Sequence, residues 1–456
     1  MSGFDLVIAN CRIVTVDHIF HGWVAVRDGK IASMGDGSPP RAEEVIDGKG
    51  YWLLPGRVDP HIHLGVHYHF DLDVEQTTAA AIAGGTTVIM PYNRAKRSYL
   101  EVYPDWERVI EERSYCDVLF HLQIQNSQHI EEIPIYRERF GIFCYKLHLD
   151  YRVREIAELD IDPLDDGDVY LTMRKCNQFD GIVALHCEDV EIVRYILPSV
   201  RATGRADLQA WSEARPPFCE IADIHTMAYL SELTGCRALV LHLSAAEGVD
   251  AAARWTRRPL ILETLVQYLT VFPEEAGPRI GAVGKMNPPL RDRNNGERLW
   301  AAVRRGSIFM IATDHVSCEK HETDDLWSAT AGIPGVEVAL PLLLSEGVHK
   351  NRISLHDLVR VACLNPARLF HIDDRKGSIA IGKDADLVLV DMYEERTVTP
   401  ETTFLKLKTA ANGMRLRGWP KMTVKGGRVV YRDGEILVRP GIGQVLRPYE
   451  VSPPTP

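Results

Sequence analysis

Five short apolar runs in this 456-residue chain carry, at or near their ends, a side chain able to bind a metal ion or move a proton. The first, Val58-Asp59-Pro60-His61-Ile62-His63-Leu64, closes on two histidines one residue apart. In an extended strand positions i and i+2 share a face, so both imidazoles can point at one ion. Further along, the run 140–148 holds Lys146, the run 182–186 ends in His186, the run 239–244 holds His242, and the run 308–315 holds Asp314. Taken singly, each is most simply a hydrogen-bonded core histidine, a lysine reaching for solvent or a turn-capping aspartate. Their joint occurrence at successive strand ends points to a divalent-ion site, because imidazoles and carboxylates are the ligands that suit zinc and similar ions. Lys146 is the odd member, since an ammonium repels cations. Burial and neighbouring positive charge would keep its amine neutral. A neutral amine adds CO2 to give a carbamate, whose two oxygens can bridge two ions.

The elements that must position these residues follow from the apolar pattern. From residue 56 onward, strand-like runs at 58–64, 86–92, 117–124, 140–149, 181–188, 237–244, 259–270 and 308–315 alternate with amphipathic stretches. Continuous Val/Ile/Leu runs in such alternation predict parallel strands buried on both faces. Repeated βα units of this number predict an α/β protein built on a TIM barrel, (β/α)8, whose active site lies at the C-terminal strand ends. The chemistry-bearing residues then fall on one rim. The competing open dinucleotide-binding sheet needs a Gly-x-Gly-x-x-Gly turn after its first strand, and none occurs here. Both chain ends carry short β-prone runs separated by turns such as Asp28-Gly29-Lys30. The expected organisation is a β-sandwich whose first part is 1–55, a metal-binding (β/α)8 barrel at 56–374, the second part of the sandwich at 375–440, and a C-terminal tail at 441–456. The tail is expected to be disordered or laid on a neighbouring subunit.

Composition bounds the partners. A net charge of −11 with acids and bases interspersed argues against nucleic acid and gives no sign of membrane-surface attachment. The N-terminus lacks the basic flank and apolar run of a signal peptide, and no stretch approaches the length of a spanning helix. The nine cysteines include no Cys-x-x-Cys pair, which reads as free thiols in a reducing compartment. A cytoplasmic protein is expected.

With these residues in view, the chain resembles the amidohydrolase superfamily, and within it the cyclic amidohydrolases: dihydropyrimidinase/hydantoinase, allantoinase and dihydroorotase. Residues 58–63, Lys146, His186, His242 and Asp314 carry the resemblance. So do Ala83-Gly84-Gly85-Thr86-Thr87, Glu263-Thr264, Asn287-Pro288-Pro289-Leu290-Arg291, Gly335-Val336-Glu337 and Gly382-Lys383-Asp384-Ala385-Asp386-Leu387. It covers nearly the whole chain. The resemblance implies two divalent ions, with zinc the expected species. His61, His63 and Asp314 would hold one, His186 and His242 the other, and N6-carboxylated Lys146 would bridge them together with a hydroxide. That hydroxide would attack the carbonyl of a cyclic amide. Asp314 would act as ligand and as general acid/base. Tyr151 would donate to the oxyanion, and Asn287 and the Gly335 region would bind the amide edge of the ring. Relatives are commonly homodimers or homotetramers, and the same is expected here.

Within the group, the residues favour the hydantoinase side. Dihydroorotases place an arginine soon after the first histidine pair to grip a carboxylate, and here Leu64-Gly65-Val66 stands instead. Allantoinase is the alternative, on the likeness of Met90-Pro91-Tyr92-Asn93 to its pattern. The segment 148–155 departs from the bulky apolar lid of hydantoinases: it is polar, so either the substrate carries a polar substituent or the loop faces solvent. Some relatives keep the fold as non-catalytic assembly proteins without the ions. Retention of every ligand position argues against that reading.

Overall fold

The computed structural model describes residues 3–152 and 163–448. Its centre is a parallel barrel. The strands are β6 (Arg57–Ile62), β7 (Thr86–Asn93), the split pair β8 (Asp117–Val118) and β9 (His121–Gln123), β10 (Cys144–His148), β11 (Ile182–His186), β12 (Arg237–Val240), β13 (Ile261–Leu265) and β14 (Met310–Ala312). They are hydrogen-bonded in the order β6-β7-β9-β10-β11-β12-β13-β14, with β8 beside β7. The seam between last and first strand is closed by backbone: Asp314 N–H donates to His61 O at 2.9 Å and His63 N–H to His315 O at 2.8 Å.

Side chains reinforce that seam. Asp59 accepts from Thr313 Oγ1 at 2.6 Å and Thr313 N–H at 3.2 Å, and pairs with Arg57 Nη1 at 3.0 Å, all fully buried. A buried carboxylate needs such partners, so the register of first strand on last is tightly fixed. Inside the barrel, Val58, Val88, Met90, Ile182, Leu239 and Met310 pack as one apolar cluster. A larger cluster lies between strands and the outer helices. Helices over Phe70–Ala83, Tyr99–Arg113, Ser127–Phe140, Asp166–Asn177, Pro217–Thr234 and Arg293–Arg304 supply the outer ring.

Two of the expected strand runs are partly helical. The run 140–149 begins in a helix: Ser127–Phe140 ends at Gly141, whose φ of 74° is the left-handed cap that glycine adopts without strain, and the strand starts at Cys144. The run 259–270 turns helical after Leu265, at Val266–Thr270. Apolar runs cannot by themselves separate a buried strand from a buried helix end.

Both chain ends build one further sheet. β1 (Phe4–Val14), β2 (Ile19–Arg27), β3 (Lys30–Gly35), β4 (Ala42–Asp47) and β5 (Trp52–Pro55) join β15 (Leu387–Thr397), β16 (Arg415–Lys425), β17 (Arg428–Arg432) and β18 (Glu435–Ile436). The expected two-ended module is thus a continuous nine-stranded sheet, joined across the chain where β5 pairs antiparallel with β15. Ile8, Ile13, Val24, Leu53, Leu387 and Val424 form its own core. The tail departs from expectation. Val445 bridges to Val118 and Leu446 N–H donates to Val118 O at 2.7 Å, so 441–448 lies on this chain's own barrel. The short edge strand β8 leaves backbone groups that the tail satisfies. Residues 449–456 lie outside the described residues.

Candidate metal centre

The strand ends converge as the alternation predicts. His61 lies in β6 with its side chain fully buried, His63 just beyond it, and Asp314 just beyond β14 on the adjoining strand. His61 Nε2 and His63 Nε2 lie 3.2 and 3.1 Å from Asp314 Oδ1. Lys146 Nζ enters from β10, 3.0 Å from His61 Nε2 and 3.2 Å from His63 Nε2. Across the rim, His186 Nδ1 faces His242 Nε2 at 3.0 Å. Asp314 and His242 both sit at positive φ, 48° and 36°. A side chain held there at an energetic cost is a common mark of a functional site.

The electrostatics suit bound cations. Burial and the Lys146 charge drive His61 well below the usual imidazole range, and burial drives His242 well below it too, so their nitrogens present lone pairs. Burial also lowers Lys146 toward the neutral amine, against Asp314, Asp150 and Glu263. Burial opposes ionisation of Asp314, yet the neighbouring His61, His63 and Lys146 hold its carboxyl well below the carboxylate range. Among the described residues, His242 Nδ1 is buried without a hydrogen-bond partner, and Asp314 Oδ1 has only the two imidazole nitrogens beside it. Lone pairs grouped in this way around a buried space fit a divalent ion. His61, His63 and Asp314 have ligand atoms within 4.8 Å of one another, as do His148, Asp150 and His186.

The structure adds residues that the sequence left without a role. Glu263 Oε1 lies 2.8 Å from His61 Nδ1, giving the carboxylate–histidine arrangement that orients a metal ligand. His148 at the end of β10 and Asp150 in the turn Leu149–Tyr151 are both buried and line the cavity. The described part of the polar segment is therefore not a solvent-facing loop, with the exception of Arg152, which pairs with exposed Asp166. Residues 153–155 lie outside the described residues. Arg94, a cation the sequence gave no place, also lines the cavity.

Substrate-contact expectations fare unevenly. Asn287 lines the cavity, and its Oδ1 is buried with no hydrogen-bond partner among the described residues. Gly335 does not line it: its N–H donates to His315 Nδ1 at 3.0 Å, which leaves that group no donor for a ligand. Gly332, earlier in the same segment, takes the place on the wall. Tyr151 ends the turn after β10, but its side chain lies outside the described residues.

Comparison with known proteins agrees with this layout. The amidohydrolase family model matches residues 265–430. The L-hydantoinase of Paenarthrobacter aurescens is 30% identical over 98% of this chain and 100% of its own length. The allantoinase of Solibacter usitatus is 30% identical over 97% of each chain. The crystal structure of dihydropyrimidinase from Brevibacillus agri superposes with a TM-score of 0.88 at 27% identity, covering 98% of this chain and 99% of that one.

Proposed function

The chain belongs to the amidohydrolase family, and from that premise we infer that it is a hydrolase that opens the C–N bond of a cyclic amide, as its hydantoinase, dihydropyrimidinase and allantoinase relatives are named for doing. The observation that carries this reading is the convergence of His61, His63, Lys146, His186, His242 and Asp314 on one rim of the barrel. We propose that two divalent ions, zinc first among the candidates, are held there by His61, His63 and Asp314 and by His186 and His242. Lys146, carboxylated on Nζ, would lie between them. Bound ions of this kind supply an activated water at neutral pH and polarise a carbonyl.

The chain's own residues do the rest. Asp314, held ionised, takes the proton from the attacking water and returns it to the departing ring nitrogen. Asn287 offers its unpartnered Oδ1 to a ring N–H and so fixes the face presented for attack. Tyr151 is proposed as the oxyanion donor. The walls around Lys146 exclude bulk water, which strengthens each of these interactions.

One observation keeps a second reading in view. Arg94 on the cavity wall supplies the cation that Leu64-Gly65-Val66 lacks, and it would suit an oxygen-rich ring substituent, as in allantoin or dihydroorotate. A hydrolysis panel of dihydrouracil, hydantoins with apolar and polar side chains, allantoin and dihydroorotate decides between them. Hydantoin or dihydropyrimidine turnover that is lost on chelation and restored by added zinc or manganese supports the first reading. Preference for allantoin or dihydroorotate over every hydantoin and dihydropyrimidine overturns it. No helix among the described residues is long and apolar enough to cross a membrane. A cytoplasmic homodimer or homotetramer is proposed on the family resemblance, and sedimentation of the purified chain tests the assembly.

A further inference from the structure

His186 is gripped from the side away from His242. Its Nδ1 lies 3.0 Å from His242 Nε2, so it can offer a lone pair to an ion there only if Nε2 carries the ring proton. Two carboxylates stand beside Nε2: Glu188 Oε2 at 3.3 Å and Asp150 Oδ2 at 3.5 Å. Each is itself anchored. Glu188 pairs with Arg215 Nη1 at 2.5 Å, both side chains at most 2% exposed, and its backbone N–H donates to Asp223 Oδ2 at 2.9 Å. The other oxygen of Asp150 lies 3.0 Å from His148 Nδ1. All of this is buried, where a carboxylate is retained only when its partners are in place.

We propose that Asp150 and Glu188 are positioning residues for the second ion, fixing His186 as the Nε2–H tautomer and so aiming Nδ1 at the site shared with His242. His148 and Arg215 hold the two carboxylates in that role. The polar segment after β10 is then, in its described part, an outer support of the metal centre. This rests on reading the rim as a two-ion centre, and the outer partners of a metal-bound histidine are worth about 10- to 100-fold in affinity.

The test measures ions per chain and their release to a chelator for the wild-type protein, Asp150→Ala, Asp150→Asn and Glu188→Gln. Glu188→Gln keeps an acceptor toward Arg215, and Asp150→Asn keeps the side-chain shape, so these two decide the matter if Asp150→Ala fails to fold. Expected are two ions in the wild type and release of one of them about 10- to 100-fold faster in the variants. Turnover should recover in excess metal with an unchanged KM. Variants that keep both ions at wild-type release rates, with only KM altered, overturn the proposal and make Asp150 a substrate contact. A wild-type protein with fewer than two ions under metal-replete conditions overturns instead the two-ion reading beneath it.

Discussion

His61 Nε2 and Asp314 Oδ1 face each other at 3.2 Å across the seam where the first and last barrel strands meet. The same pair is joined through the backbone, Asp314 N–H to His61 O at 2.9 Å. Barrel closure and ligand geometry are thus one structural event. Whatever loosens the seam loosens the site.

Glu263 holds the far nitrogen of His61 at 2.8 Å. Glu263→Ala removes the group that holds and orients that ring, so the ion proposed at His61, His63 and Asp314 should bind about 10- to 100-fold more weakly. Metal titration of the stripped protein reads this directly. Unchanged affinity would reduce Glu263 to a packing role.

Asn287 Oδ1 is an acceptor on the cavity wall with no hydrogen-bond partner among the described residues. Asn287→Ala should lower kcat/KM about 10- to 100-fold, the cost of one buried hydrogen bond to substrate. Metal content should stay at the wild-type level, and this separates a substrate contact from a structural one.

Asp59 neutralises fully buried Arg57 and accepts two bonds from Thr313. Asp59→Ala leaves that guanidinium unpaired in the core and should cost about 3–5 kcal/mol of stability. Urea unfolding measures the loss, and bound metal should fall with it because the seam carries His61 and Asp314.

Burial between the rings of Tyr92 and Phe370 pushes His121 down from the ordinary 6.5 to about 3. Its folded pKa lies below its unfolded one, so the unfolded chain binds the extra proton between these values. Stability is therefore full above pH 6.5 and falls as pH drops toward 3, by up to about 1.4 kcal/mol per pH unit for this group. His121→Leu should flatten the pH dependence of the thermal midpoint between pH 6.5 and 5. An unaltered slope would mean that other groups dominate.

The type and spacing of residues were enough to single out the side chains that the fold brings to one rim. A strand shows every second residue to one face, so His61 and His63 share a direction wherever that strand lies. Buried parallel strands are continuous apolar runs, so a histidine, lysine or aspartate at the end of each stands out against its own element. The alternation then puts those ends on one rim.

Partners beyond the ligands were decided only by the folded chain. Glu263 meets His61 across 202 residues of sequence, through closure of the barrel, and no local pattern encodes that contact. Asp150 sits on a turn, where side-chain direction follows the backbone angles of each residue and no periodicity exists to read, whereas His148 ends β10 two residues after Lys146 and shares its face. Hence the polar segment was legible as unusual but not as inward-facing. Gly332 of the Gly335 segment lines the cavity, and the availability of Gly335 N–H depends on His315, which arrives from just beyond β14. The tail likewise found its partner in the short edge of β8, a gap that exists only once the barrel has formed. Sequence determined which atoms can bind an ion, because that is set by residue type and strand period. Tertiary structure decided what holds those atoms in place, because such contacts arise from loop geometry and long-range closure.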